Sequence, residues 1–442
     1  MSVPIRYSIE GPTARAIARS IEEGARSGRI EPGATLPTVR ALAASLSVSP
    51  ATAASAYRLL KGRGLLATAG RRGTRLSHRP PLATPPALPV PPHLRNLADG
   101  NPDPALLPDL RAILRGLRGR GPLYGEPDRR PALLRWARRD MEADGVTAEH
   151  IAIVGGALDG IERVLQAHLR AGDRVAVEDP GYTAVLDLLS ALGLIAEPVQ
   201  VDDYGLRPVE LREALRAGAV ACIVTPRAQN PTGAAFDPRR ARELRAVLSA
   251  HPEVLVIEDD HAGPVAGLPA LTVVQPRQER WAVVRSVSKS LGPDLRLAVL
   301  AGDGLTVARV EGRRALGAGW VSCVLQEIVE RLWSLPATAR RLRAAAETYT
   351  RRRQGLIDAL ARRGVPARGR SGLNVWIPVA EEAAVLAHLA TAGWAVRAGE
   401  RYRLRSPPAI RITVATLRPS EAERLANDVA RALSGAGRRA SA

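Results

Sequence analysis

Apolar residues recur at helical spacing over 12–28, where Ala16, Ile17, Ser20, Ile21 and Gly24 form one stripe and Arg15, Arg19, Glu22, Glu23 and Arg26 lie elsewhere. Gly28 supplies a stop. After the turn EPG, Thr38 is placed to cap a second helix through Leu46, and Ser49 a third from Pro50 to about Gly62 with proline in its first turn. LLATAGRRGTRLS then alternates apolar and polar residues around Gly70 and Gly73, the pattern of a two-stranded hairpin. Three helices and a hairpin predict a winged helix-turn-helix over 1–76.

The stretch 77–98 has a different character, with seven prolines between Pro80 and Pro92. That is too many for a helix or a central strand and enough for a stiff, extended connector. Beyond it, short β-branched runs (IAIV at 151, RVAVED at 174, ACIVT at 221, VLVIED at 254, WAVVRS at 281, LAVLAG at 297) alternate with helical stretches at 157–170, 181–192, 207–217 and 237–250. Such alternation predicts an α/β fold with a large, mostly parallel sheet covered on both faces. From about 320 the pattern is helical to Gly364; GLNVWIPV and AIRITVA then read as strands with a helix between them and another at the end. The expected organisation is a large domain over 99–330 and a small α+β domain over 331–442.

Composition sharpens this picture in three ways. No run reaches the roughly 20 apolar residues of a membrane-spanning helix and the N-terminus lacks a secretion signal, so a cytoplasmic location is expected. The formal charge is +19, and residues 1–78 hold twelve Arg or Lys against four Glu, which marks the predicted winged helix as the place for a polyanion. The two cysteines, Cys222 and Cys323, are far apart and imply no disulfide framework. No metal site is expected.

The chain has only two lysines, Lys61 and Lys289. Arginine stays protonated, whereas a lysine amine can lose its proton and condense with an aldehyde, so a retained lysine is a candidate for chemistry. Lys61 reads as an ordinary surface residue. Lys289 ends a buried strand within SVSKSLGPDLR, beside the hydroxyls of Ser286 and Ser288 and seven residues before Arg296. A serine hydroxyl and an arginine fork can hold a phosphate close to that amine. Gly155, Gly156, Ala157 and Leu158 form a small-residue turn opening a helix, whose amides can cradle the same phosphate.

The segment S-x-S-K followed by arginine resembles the cofactor-binding segment of fold-type I pyridoxal phosphate (PLP) proteins, and further elements follow in that family's order. The resemblance implies PLP held as a Schiff base on Lys289, with its phosphate on Ser286, Ser288, Arg296 and the 156–158 turn. It implies that Tyr182 stacks on the ring and that Asn230, in TPRAQNPTG, bonds the 3′ oxygen. A carboxylate in VLVIEDDHAGP, Asp259 or in a shifted register Asp260, would pair with the pyridine nitrogen. His261 stands where relatives usually have tyrosine, which argues against efficient transamination. Arg411, in AIRITVA, matches an arginine that grips a substrate or effector carboxylate; Tyr124, in YGEPD, matches a tyrosine reaching the phosphate of a neighbouring subunit, which implies a homodimer.

The N-terminal segment resembles the GntR-type winged helix, through L-P-T-V-R-A-L-A, V-S-P-A-T, A-Y-R-L-L and the G-T wing. The resemblance implies DNA contacts from Arg40, from Ser49, Thr52 and Ser55 on the third helix, and from Arg71 and Arg72 in the wing. Relatives usually carry arginine where this chain has Pro50. The two parts together resemble the MocR family, in its short-linker form. That implies a regulator of vitamin B6 or amine metabolism which binds a double-stranded operator and senses PLP or an amino compound. A working aminotransferase with an accessory DNA-binding domain is the rival reading, and a protein-interaction role for the head a weaker third.

Overall fold

The computed structural model describes residues 7–31, 33–62, 65–68, 74–76, 90–117 and 121–440. The chain forms two compact units: the N-terminal head together with 169–175 and 183–196, and the remainder from residue 90 onward.

In the head, α1 (Ala14–Arg26), α2 (Val39–Ser45) and α3 (Pro50–Gly62) precede the antiparallel hairpin β1 (Leu66–Thr68) and β2 (Thr74–Leu76). Each helix starts where a hydroxyl can satisfy a free amide: Thr13 accepts from Ala16 N, Thr38 from Ala41 N and Ser49 from Thr52 N. Such caps contribute about 1 kcal/mol each. The buried stripe of α1 is Ile17, Ala18, Ile21 and Gly24, with Ala16 and Ser20 at its rim. It closes over Leu42, Ala53, Ala56, Tyr57, Leu60 and Leu76 in one small core. The Tyr57 hydroxyl, driven to find a partner by burial, donates to Pro37 O at 2.6 Å and so ties α3 to the segment before α2.

From residue 90 onward the chain first forms β3 (Arg95–Asn96), α4 (Arg111–Gly116) and α5 (Pro131–Ala143). Then come β4 (His150–Val154), α6 (Ala157–His168), β5 (Arg174–Asp179), α7 (Thr183–Ala191), β6 (Ile195–Asp202), β7 (Gly205–Leu206), α8 (Pro208–Arg216) and β8 (Ala219–Val224). The order continues α9 (Pro238–Ser249), β9 (Leu255–Asp260), β10 (Trp281–Ser286), β11 (Ala298–Gly302) and α10 (Gly304–Ala315). Eight strands form one sheet in the order β4-β11-β10-β9-β8-β5-β6-β7. The six predicted strand runs are all there, and every residue of β9, β10 and β11 is buried, including the three carboxylates that end β9 and Arg285 and Ser286 of β10. β8, β9 and β10 are parallel. β11, however, runs antiparallel to both β10 and β4, and β6 with its partner β7 was absent from the expected set. A fully buried run has no alternation that reveals direction, and Pro198 and Glu197 mask the strand character of β6.

The chain then forms α11 (Cys323–Ser334), the long α12 (Pro336–Ala361), β12 (Asn374–Pro378), α13 (Glu382–Thr391), β13 (Trp394–Ala395), β14 (Arg397–Ala398), β15 (Ala409–Thr413) and α14 (Pro419–Ala440). Strands β12, β15 and β14 make a three-stranded sheet whose core holds Leu356, Val375, Ile377, Trp394, Ile410, Ile412 and Leu425. Leu97 belongs to this core too, because β3 pairs in parallel with β13. The stretch just after the proline-rich segment is therefore part of the C-terminal body. Among the described residues no helix is long and apolar enough to cross a membrane.

Candidate functional site

The functional side chains gather where β4, β5, β8, β9 and β10 end, the crevice in which open α/β sheets place ligands. Strand alternation sends adjacent residues to opposite faces, and this separates the two aspartates that close β9. Asp260 accepts from Arg227 at 2.9 and 2.7 Å and from Arg285 at 2.7 Å. Arg285 in turn reaches Asp140 and Asp144 of the α5 region at 2.7 and 2.6 Å. Burial alone would raise the Asp260 carboxyl, but the two guanidinium groups hold it well below the usual carboxylate range. Asp260 is thus spent on structure. Asp259 is 4% exposed, its Oδ1 has no hydrogen-bond partner, and burial, with Asp260 and Glu178 adding to it, pushes its carboxyl up to about 7.

Lys289 follows the end of β10 by three residues, and its Nζ donates to Gly100 O at 2.8 Å. Burial and the nearby Arg411 bring the amine down to about 8, against the pull of Asp99. At neutral pH a useful fraction is therefore unprotonated. The Ser286 hydroxyl donates to Ser288 Oγ at 3.0 Å. Arg296 adopts a left-handed backbone (φ +43°), and a Cβ at Gly156 would lie 3.4 Å from its guanidinium. Gly156 itself has φ +112°, so this turn needs glycine for its conformation. Ala157 and Leu158 open α6 directly behind it. A cavity of about 250 Å³ is lined by Gly155, Asp159, Arg163, Arg296, Arg314 and Trp320.

Burial raises the Tyr182 hydroxyl, with Asp259 and Tyr402 adding to it and Arg411 and Arg296 opposing. Asn230 Oδ1 accepts from Arg411 Nη1 at 3.0 Å and from Asn374 Nδ2 at 3.4 Å. Its loop is fixed from below: Gln229 donates to Glu178 Oε2 at 3.0 Å and to Pro180 O at 2.8 Å, while Thr232 returns to Gln229 Oε1 at 2.6 Å. Burial, the charge of Lys289 and that of Arg227 lower His261 to about 4, against the pull of Asp260, so its ring is neutral. Arg411 is 3% exposed; its second terminal nitrogen donates to Ala98 O, its guanidinium lies 5.2 Å from the Tyr402 ring centre, and its Nε has no partner. No carboxylate pairs with it among the described residues.

Tyr124 stands apart, 93% exposed and edge-on to Trp320 at 5.4 Å. In the head, Arg40 and Ser49 are exposed and Thr52 and Ser55 half-buried. The Ser49 and Thr52 hydroxyls are 2.8 Å apart, and Ser55 accepts from Arg58 at 2.7 Å. Arg58 is an exposed cation of α3, two turns after Pro50. Arg71 and Arg72 lie outside the described residues. Sequence reasoning also missed Tyr402, Asn374 and the turn at Asp99 and Gly100. Tyr402 sits in RYRLRS, which has no periodicity to betray it, and is positioned because Asp179 accepts from the amides of Leu404, Arg405 and Ser406.

An unpartnered buried carboxylate, a lysine of lowered basicity, a glycine-lined arginine and an unpaired buried guanidinium form a donor set that fits PLP. A family model, bacterial regulatory proteins of the gntR family, matches residues 13–76, and a second, aminotransferase class I and II, matches 94–429. Domains of the second kind bind PLP. The chain is 41% identical over 428 residues to the vitamin B6 salvage pathway transcriptional repressor PtsJ of Salmonella typhimurium, covering 96% of this chain and 99% of that protein. It is 30% identical over 413 residues to the HTH-type transcriptional regulator TauR of Rhodobacter capsulatus, covering 83% of each. Its fold is similar to that of Pyrococcus horikoshii kynurenine aminotransferase, with a TM-score of 0.70 at 20% identity over 78% of this chain and 91% of that one. With a winged helix of the one class joined to an aminotransferase domain of the other, and a regulator matching nearly end to end, the chain belongs to the MocR-type members of the GntR regulators.

Proposed function

We propose that this regulator senses PLP through Lys289 and reports its occupancy to a winged helix bound to an operator, as a repressor in vitamin B6 metabolism like PtsJ. The observation that carries the reading is one crevice holding Lys289, the partnerless Oδ1 of Asp259 and the unpaired guanidinium of Arg411. In this reading Lys289 holds the cofactor's aldehyde and Asp259 keeps a proton on the pyridine nitrogen. Asn230 and the neutral His261 flank the 3′ oxygen, and Tyr182 lies against the ring. Ser286, Ser288, Arg296 and the 156–158 turn hold the phosphate. The bound cofactor supplies an electrophilic carbon and an electron-withdrawing ring. Arg411 takes the carboxylate of an amino compound acting as effector.

The exposed Tyr124 and its partner Trp320 support a homodimer in which Tyr124 reaches the neighbouring phosphate. Arg40, Ser49, Thr52 and Ser55, with Arg71 and Arg72 of the wing, face the duplex; α3 lies in the major groove. For occupancy to regulate, PLP must bind DNA-competent and DNA-incompetent forms with different affinity. The test pairs an absorption spectrum with duplex retardation across a PLP titration. A visible band that develops together with a change in DNA affinity supports the regulator, and no band rejects it. Steady turnover of an amino donor and an oxo acid would establish an aminotransferase instead.

A further inference from the structure

Residues 95–103, close behind the proline-rich segment, are pinned at both ends. At one end Arg95 N donates to Gly393 O at 2.8 Å, Leu97 N to Ala395 O at 2.9 Å, and Thr413 N to Leu97 O at 2.8 Å. At the other end the Tyr349 hydroxyl accepts from Asp103 N at 3.0 Å, and Arg352 pairs with Asp103 at 2.8 Å. Between the pins, the turn is held by side chains from outside it. Ala98 O accepts from Arg411 Nη2 and, at 3.3 Å, from Arg397 Nε. Gly100 O accepts from Lys289 Nζ at 2.8 Å. Gly100 has φ +74°, and a Cβ there would meet the Arg411 guanidinium at 3.3 Å, so the turn is shaped for that approach.

Two of the cations that hold this turn, Arg411 and Lys289, are the two that the proposed function assigns to ligands, and the inference rests on that assignment. A carboxylate is a stronger acceptor for a guanidinium than a peptide carbonyl, because its charge adds to the hydrogen bond. When Lys289 joins an aldehyde carbon as C=N, water leaves and the nitrogen keeps at most one of its three ammonium hydrogens. We propose that the carbonyls of Ala98 and Gly100 compete with ligand for Arg411 and Lys289, so that ligand binding loosens the turn 98–101 and reports occupancy to the chain leading back to the winged helix. Ala98 and Gly100 are positioning residues in this scheme.

Hydrogen exchange of the full-length protein, followed by mass spectrometry with the absorption spectrum recorded in parallel, tests the proposal. With the wild type, added PLP is expected to speed exchange of peptides covering 97–103 several-fold as the visible band develops. Lys289→Ala is expected to exchange fast there from the start and not to respond. Gly100→Ala, which crowds Arg411 and strains the turn, is expected to keep the band while DNA affinity ceases to follow PLP. A band that develops with exchange over 97–103 unchanged or slowed overturns the proposal and leaves the cofactor reading intact. Absence of any band overturns both.

Discussion

The proposed role of Lys289 as an aldehyde trap rests on a surrounding protein that makes it a weaker base than a surface lysine. With its amine at about 8, the rate of PLP capture is expected to climb about tenfold per pH unit below that value and to level off above it. Stopped-flow absorbance from pH 6 to 9 checks this, and a rate still climbing at pH 9 would contradict the lowered basicity. Lys289→Ala should lose the visible band altogether. Asp259 carries the opposite expectation. Its folded-state carboxyl, at about 7, lies above the ordinary 3.8, so folding disfavours the charged form and its cost is fully felt above pH 7. Asp259→Asn is therefore expected to stabilise the PLP-free protein at pH 8 by about 1–3 kcal/mol while weakening PLP binding at least tenfold. The melting temperature without PLP should rise and the further rise that PLP adds should shrink, whereas a fall without PLP would make Asp259 merely structural. Lysine scarcity made Lys289 legible in the sequence. The choice between Asp259 and Asp260 was not, because it depends on Arg227 and Arg285, which no local spacing connects to β9.

Those same arginines matter at the level of elements. Asp260 sits at the end of β9 and joins Arg227, just beyond β8, to Arg285 on β10, which carries the tie onward to α5. Removing one member strands buried charge, so Asp260→Asn is expected to cost about 3–5 kcal/mol, read as a lower urea midpoint with little change in slope. A shift below about 1 kcal/mol would mean that the sheet holds these ends without the tie. The strands themselves were readable from their apolar runs and the head helices from their caps, since both signals are local. Direction and pairing were not: β11 is antiparallel, and β3 pairs with residues from the far end of the chain. The Asp179 acceptor that fixes the 402–406 loop is equally non-local, so Tyr402 escaped notice although it borders Arg411.

For the whole molecule, the basic head predicts duplex binding driven largely by phosphate neutralisation. Arg40→Ala, or alanine at both Arg71 and Arg72, should weaken retardation and reduce the salt slope by about one for each phosphate left without its arginine, with the PLP band unchanged. Equal retardation at every salt concentration would remove those residues from the interface. The parallel pairing of β3 with β13 carries a consequence for how the protein is made. Trp394 leaves the ribosome about 300 residues after Arg95, so the anchor of the head's tether must wait for nearly the entire chain. The winged helix, with a core drawn wholly from residues before 77, completes itself long before then. A nascent or prematurely terminated chain would thus present a finished DNA reader with nothing yet governing it, and truncations ending before residue 394 should grip the operator without regard to vitamin supply.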